Sequence, residues 1–262
     1  MDGKQFIHKK SLGQNFLNNS FIVNKIIESA DIIDDSLIIE IGPGEGVLTK
    51  ELINKNAFVL AFEIDKRLKE KLDLIAKDNL EVVYENFLEV DISKYVSKYK
   101  YSRLLVIANL PYYITTAIVQ KIINSLDVYE IIIMVQKEVA LRYMAKPCSR
   151  SYNSLSVYLS YYFDIFNVAE VSRENFNPIP NVDSTVIKMI RKEKAYKVIN
   201  EEYFFKLVKD SFKQKRKNLK NNLKDYDLIT IEEILKKHNK STKCRAEEIE
   251  IDEFVEISNK LC

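Results

Sequence analysis

Four consecutive residues, Asn109-Leu110-Pro111-Tyr112, carry groups suited to one difficult reaction, the alkylation of an amino group on a flat heteroaromatic ring. The lone pair of such a nitrogen is delocalised into the ring, which makes it a poor nucleophile. The Asn109 side-chain oxygen and the Leu110 carbonyl are acceptors for its two N–H bonds, and accepting both draws the lone pair out of conjugation toward an electrophile. Pro111 fixes its own φ and biases Leu110 toward an extended conformation that aims this carbonyl outward. Tyr112 offers a ring that can stack on a base, worth ~1–3 kcal/mol. The same residue types are ordinary at a strand-to-turn junction, so the tetrapeptide alone leaves both readings open.

The place for an electrophile is marked upstream. Gly42-Pro43-Gly44-Glu45-Gly46 follows the apolar run Leu37-Ile38-Ile39-Glu40-Ile41 and precedes a helical pattern over residues 47–54. Glycines there let the backbone approach a ligand and take positive φ without penalty. At the head of a βαβ unit such a loop binds a dinucleotide or S-adenosylmethionine. The next apolar run, residues 58–62, ends in Glu63-Ile64-Asp65, about twenty residues beyond the glycines, where an acid holds ribose hydroxyls. Glu63 is the ribose candidate, and Asp65 reads as the N-cap of the helix that follows. Pro43 inside the loop, a glycine spacing unlike G-x-G-x-x-G and the amine-binding character of Asn109 favour S-adenosylmethionine over NAD.

Together with Leu12-Gly13-Gln14-Asn15-Phe16-Leu17, these motifs resemble the ribosomal RNA adenine dimethyltransferases, and within them the bacterial small-subunit branch. The resemblance runs from about Lys9 to the C-terminus. It implies an α/β fold, a Rossmann-like S-adenosylmethionine-dependent methyltransferase sheet, with a small all-helical C-terminal domain. It implies that Asn109, Leu110, Pro111 and Tyr112 are catalytic, and that Asn15, Leu17, Gly42, Gly44, Glu63, Asn86 and Asn109 hold the cofactor. It also implies that Tyr112 and Phe176, the latter opening Phe176-Asn177-Pro178-Ile179-Pro180, wall the target-base pocket.

The implied substrate is a pair of adjacent adenosines near the 3′ end of small-subunit (16S) rRNA in the assembling 30S subunit, each dimethylated on its exocyclic nitrogen. Two departures stand out. Asn86 occupies a position where similar enzymes usually carry Asp to accept from the cofactor's adenine amino group, and Asn accepts there without charge assistance. Cys148, after Pro147, stands where relatives usually have a small residue such as Gly, and no nucleophilic role is expected of it. Two alternatives remain: a large-subunit rRNA adenine methyltransferase of the macrolide-resistance type, and a non-catalytic RNA-binding assembly factor on the same fold.

Apolar runs at residues 37–41, 58–62, 80–84, 104–108, 129–135 and 186–190 predict strands, with helices between them and an early one from Ser20, the expected cap. From Asn200 the pattern is helical, with Phe204, Leu207, Val208, Phe212, Leu219 and Leu223 marking one face. The expected domains are residues 1–195 for the methyltransferase and 196–262 for rRNA binding. Residues 206–224 hold eight Lys or Arg against one acid, Asp210. Lys213, Lys215, Arg216, Lys217 and Lys220 are therefore the expected rRNA contacts, on a basic helix face.

The bulk properties agree with such an enzyme. The 262 residues are 47% apolar and 30% charged, with a net charge of +2, an ordinary globular composition. No apolar run approaches the ~20 residues that span a bilayer, and the polar start is no signal peptide. A cytoplasmic monomer without membrane contact is expected. Three widely spaced cysteines and two histidines predict neither a disulfide framework nor a metal site.

Overall fold

Buried parallel strands are recognisable as short, continuous apolar runs, and each expected run is a strand in the computed structural model, which describes residues 15–193 and 196–262. In chain order the strands are β1 (Phe16–Leu17), β2 (Ser36–Ile41), β3 (Ala57–Phe62), β4 (Leu80–Val83), β5 (Arg103–Asn109), β6 (Glu130–Gln136), β7 (Phe163–Val171), β8 (Phe176–Asn177) and β9 (Ser184–Arg191). Seven form one sheet in the order β4-β3-β2-β5-β6-β9-β7. The pairs β4–β3, β3–β2, β2–β5 and β5–β6 are parallel, and β9 runs antiparallel to β6. This is the expected Rossmann-like sheet. All six residues of β2 are buried, as its central position requires.

Strand order reverses at β2, which has β3 on one side and β5 on the other. A crevice opens outside the carboxyl ends of the strands at such a switch point. The glycine loop leaves the end of β2, Glu63 follows β3, Asn86 lies beyond β4, and Asn109 closes β5. Residues far apart in sequence thus arrive at one edge because every parallel strand delivers its carboxyl end there.

The small sheet β1–β8 was not expected. Leu17 stands opposite Phe176 and Phe16 opposite Asn177. The Asn18 N–H donates to the Asn175 carbonyl at 2.9 Å, and Asn19 Nδ2 to Asn175 Oδ1 at 2.7 Å. Asn19, rather than Ser20, caps the helix Ser20–Ser29, accepting from the N–H groups of Phe21 and Ile22. Ser20 is already helical, and a cap must be the last residue outside. Leu12, Gly13 and Gln14 of the early motif lie outside the described residues.

The chain divides into two compact units, one running to Ala140 and resuming over Phe166–Ile190, the other made of Leu141–Ile165 and Arg191–Cys262. A single boundary near residue 195 does not describe this. Ala145, Tyr152 and Val157 are buried in the same cluster as Phe204, Leu207, Leu219 and Phe254, which draws the helix Ser154–Tyr162 into the second unit. That helix passes into β7 with no glycine or proline between them, so no breaker marks either element.

The apolar face expected from Phe204 to Leu223 is the core of this second unit, with Phe212 packed against it. Its basic residues are placed differently from expectation. The helix Glu201–Ser211 ends before them, and residues 213–217 form an exposed loop, not a helix face. Asn222 stitches that loop by donating to the carbonyls of Ser211 (2.6 Å) and Gln214 (3.3 Å), and Asn218 caps the short helix Leu219–Asn222 that carries Lys220.

Cys148 adopts φ 65°, and its N–H donates to the Glu247 carbonyl at 2.7 Å. The left-handed region costs an L-residue ~1–2 kcal/mol, which accounts for glycine being the expected type there. Cys148→Gly should therefore raise stability by up to about 1 kcal/mol, after subtracting the ~0.4–1 kcal/mol of added chain entropy in the unfolded state. Urea unfolding checks this, with Cys148→Ala, which keeps the strained backbone, as the control that should not gain.

Candidate active site

The glycine loop is held by a buried acid. Gly44 has φ 60°, where an L side chain is strained, and a Cβ there would stand 2.7 Å from Cε1 of Phe16, so a substitution would also displace that ring. Glu63, only 4% exposed, turns back from the end of β3 toward the loop. Its Oε2 accepts the Gly44 N–H at 3.1 Å and its Oε1 accepts the Asp65 N–H at 2.7 Å. Burial pushes the Glu63 pKa up, while these two N–H donors pull against it and the Asp65 charge adds to the rise. Each carboxylate oxygen keeps a further lone pair, so the acid that braces the loop can also accept hydroxyl groups of a ligand. Asp65 accepts from the Arg67 N–H at 3.2 Å and pairs with the Arg67 guanidinium at 2.6 Å, the capping role expected for it.

A second buried acid was not singled out in the sequence. Glu40 is 1% exposed, and its Oε2 has no hydrogen-bond partner. Burial, opposed by the Thr49 hydroxyl and reinforced by the Glu63 charge, pushes its pKa up to about 8. The available signal was a carboxylic acid inside an otherwise apolar strand, one residue before the glycine loop.

Facing this loop, Asn109 Nδ2 donates to the Asn15 carbonyl at 3.3 Å, which commits the donor side of the amide and leaves Oδ1 as an acceptor. The Pro111 carbonyl accepts from the Thr115 hydroxyl at 3.0 Å and from the Ile114 N–H, tying the tetrapeptide to the helix Thr115–Ser125. The half-buried Tyr112 is fixed through its hydroxyl, 2.6 Å from that of Ser184. Burial raises its pKa, and the Ser184 contact opposes the rise. Asn86 Oδ1 accepts the Leu88 N–H at 3.1 Å, and Nδ2 donates to Glu89 Oε1 at 2.7 Å.

Asn15, Leu17, Gly42, Gly44, Glu63, Asn86 and the whole tetrapeptide line one cavity of about 230 Å³, which Glu40 also lines. The Glu63 carboxylate suits a ligand with hydroxyl groups, and the Asn109 amide oxygen, in the same cavity, suits an amine. Phe176 is absent from the lining. It is 3% exposed and buried in the core with Leu17 and Ile22, because the β1–β8 register sets it opposite Leu17. The ring is thus enclosed by the core instead of lining this cavity beside Tyr112. The exposed aromatic lining the cavity is Tyr113, at 61%, which the sequence reading passed over.

In the second unit, Lys213, Lys215, Arg216, Lys217 and Lys220 are all exposed. Lys215 donates to the Arg150 carbonyl at 3.0 Å. Their neighbour Lys206 is neutralised by Asp210, at 3.1 Å. Among the described residues, no group of three or more His, Cys, Asp or Glu is arranged to hold a metal ion, and no helix is long and apolar enough to cross a membrane.

A family model described as ribosomal RNA adenine dimethylase matches residues 5–262. The ribosomal RNA small subunit methyltransferase A of Bacillus pumilus (strain SAFR-032) is 42% identical, over 98% of this chain and 92% of that protein. Its namesake in Clostridioides difficile (strain 630) is 45% identical, over 97% and 91%. Among solved structures, a dimethyladenosine transferase from Plasmodium falciparum aligns with a TM-score of 0.75 at 25% identity, over 92% of this chain and 95% of that one. The 23S rRNA methyltransferase ErmE aligns with 0.74 at 26%, over 94% and 99%.

The state of Glu40 gives a signed prediction. In the folded chain its proton is held to about pH 8, against an ordinary 4.5. The stability contributed by the protonated form is complete below pH 4.5 and is lost as pH rises through about 8. Glu40→Gln keeps shape and neutrality, so its stability relative to wild type should improve across that window by up to ~1.4 kcal/mol per pH unit and level off above it. Urea unfolding of both proteins at several pH values measures this, and a difference that does not change with pH would mean that Glu40 titrates normally.

Proposed function

The chain belongs to the ribosomal RNA adenine dimethylase family, and on that premise we propose that it transfers methyl groups from S-adenosylmethionine to the exocyclic nitrogens of two adjacent adenosines near the 3′ end of small-subunit (16S) rRNA, dimethylating each. The observation that carries the reading is the meeting, in one cavity, of a glycine loop braced by a buried acid with Asn109, whose amide oxygen is left as an acceptor, and Leu110. Relatives at 42% and 45% identity carry the small-subunit name, whereas the large-subunit enzyme is similar at 26%. A non-catalytic binding module would not require the Asn109 amide and the glycine loop to line the same cavity.

The residues present fit this methyl donor. The orphaned Glu40 Oε2, on an acid that holds its proton to about pH 8, offers a hydrogen-bonding partner, and the Glu63 oxygens keep lone pairs for hydroxyl groups. Glu63 would hold the ribose hydroxyls, Asn86 Oδ1 the adenine amino group, and Asn15 and Leu17 would cover the ligand. S-Adenosylmethionine supplies an electrophilic methyl group on a sulfonium. The chain's own work is then positional. Asn109 Oδ1 and the Leu110 carbonyl accept the two N–H bonds of the target adenosine and turn its lone pair out of conjugation. Tyr112, its hydroxyl fixed by Ser184, stacks on the flipped base. Alkylation makes the nitrogen acidic, and its proton leaves to solvent without a dedicated base. After the first transfer one N–H remains, so the second uses one of the two acceptors.

Docking on the assembling 30S subunit, in the cytoplasm where ribosomes are built, falls to the exposed basic loop with Lys213, Lys215, Arg216 and Lys217, and to Lys220 beyond it. Lys4, Lys9 and Lys10, further candidates for phosphate contact, lie outside the described residues.

Asn109→Ala should abolish methylation of undermethylated small subunits while changing S-adenosylmethionine affinity by less than about tenfold, since its oxygen serves the reacting amine. Labelled methyl transfer and calorimetry on the same preparation test this, and parallel losses in both would move Asn109 to the cofactor shell. Replacing Lys215, Arg216 and Lys217 by Gln should lower the log–log salt slope of subunit binding by roughly 2–3, at ~0.7–0.9 per phosphate contact. Cofactor affinity should stay unchanged, and a slope equal to that of wild type would place the rRNA elsewhere.

A further inference from the structure

Asn86 brings a problem that a carboxylate does not have. Rotated by half a turn about its last bond, the amide exchanges donor for acceptor, and Nδ2 would then face a ligand amino group. In this chain both sides of the amide are held. Oδ1 accepts the Leu88 N–H at 3.1 Å, and Nδ2 donates to Glu89 Oε1 at 2.7 Å. The rotated amide would set an N–H against an N–H and an oxygen against a carboxylate, so both neighbours oppose it. The two restraints differ in kind. An aspartate at position 86 would accept the Leu88 N–H equally well, whereas the contact to Glu89 exists only because position 86 has a donor. Glu89 is exposed and does not line the cavity, so Asn86 is the side chain that links it to a ligand there.

We propose that Glu89 is a positioning residue that locks the Asn86 amide with its oxygen toward the cofactor's adenine amino group, and so sets the preference for adenine over a purine with a carbonyl at that position. This rests on the assignment of the cavity to S-adenosylmethionine. The Glu89 carboxylate also polarises the amide it holds, which makes Oδ1 a better acceptor and supplies part of the charge assistance that a neutral side chain lacks. Asn86 and Glu89 together thus do the work of one carboxylate. Lys121 and Asp91 lie in the same electrostatic neighbourhood. Neither takes the Asn86 donor.

The test compares two probes by calorimetry on the full-length protein: S-adenosylhomocysteine, and S-inosylhomocysteine, in which a carbonyl replaces the adenine amino group. Wild type should prefer the first. Glu89→Ala should shrink the preference by about 3- to 10-fold, the scale of one hydrogen bond's net contribution. Glu89→Gln, which keeps an acceptor oxygen, should retain most of it. In an Asn86→Asp background, where no donor side exists, adding Glu89→Ala should leave the preference unchanged. An unaltered preference in Glu89→Ala overturns the proposal, and so does an equal fall in both backgrounds, which would mean that Glu89 acts through its charge and not through the amide. Failure of wild type to bind either probe would overturn the cofactor assignment itself, and the proposal with it.

Discussion

The site depends on one carboxylate. Glu63 accepts the Gly44 N–H with one oxygen and the Asp65 N–H with the other, and so joins the loop after β2 to the turn after β3. Without that bracket the loop would keep the freedom that its glycines bring, and the cavity wall would have no fixed position. Burying the acid is unfavourable, as its raised pKa records, and two backbone donors offset the loss. The arrangement keeps an acidic, hydrogen-bonding surface at the switch point of the sheet, where a sugar and a positive charge can be received together.

Glu40 adds to this surface and pays more heavily for it, since its Oε2 has no partner. A buried polar atom left unsatisfied is a cost to the fold that a ligand can recover. Asn109 lines the same cavity, and its amide leans on the Asn15 carbonyl. Asn15 in turn adjoins the β1–β8 pair, which also brings Phe16 over Gly44. The strap that covers the loop and the group that orients the acceptor are therefore one piece of chain. Asn86 and Glu89 extend the same logic, with a neutral amide given direction by a neighbour's charge.

The second unit is built on different terms. Its core is helical, with Phe204, Leu207, Leu219 and Phe254 packed against residues from the helix Ser154–Tyr162. It presents its cations on a loop stitched by Asn222, so they project from backbone that the core does not have to bury. The exposed basic loop and the buried acids of the cavity thus belong to different units.

The sequence by itself determined what depends on local pattern. Continuous apolar runs specified the parallel strands, the strand-end positions of the glycines, Glu63 and Asn109 followed from them, and the apolar face from Phe204 to Leu223 marked the second core. Residue chemistry identified the cap at Asp65 and proposed Asn109 and Leu110 as amine acceptors. Only the tertiary structure decided what depends on pairing between distant segments. The register of β1 with β8 buried Phe176 opposite Leu17, in the core and outside the lining of the cavity. Packing drew residues 141–165 into the second unit, although no breaker divides helix from β7. Side-chain stitching by Asn218 and Asn222 turned an expected basic helix face into a loop. The state of Glu40 and the direction of the Asn86 amide were hidden for the same reason: a residue type says which protons and lone pairs a group has, whereas burial and neighbours decide which of them are used.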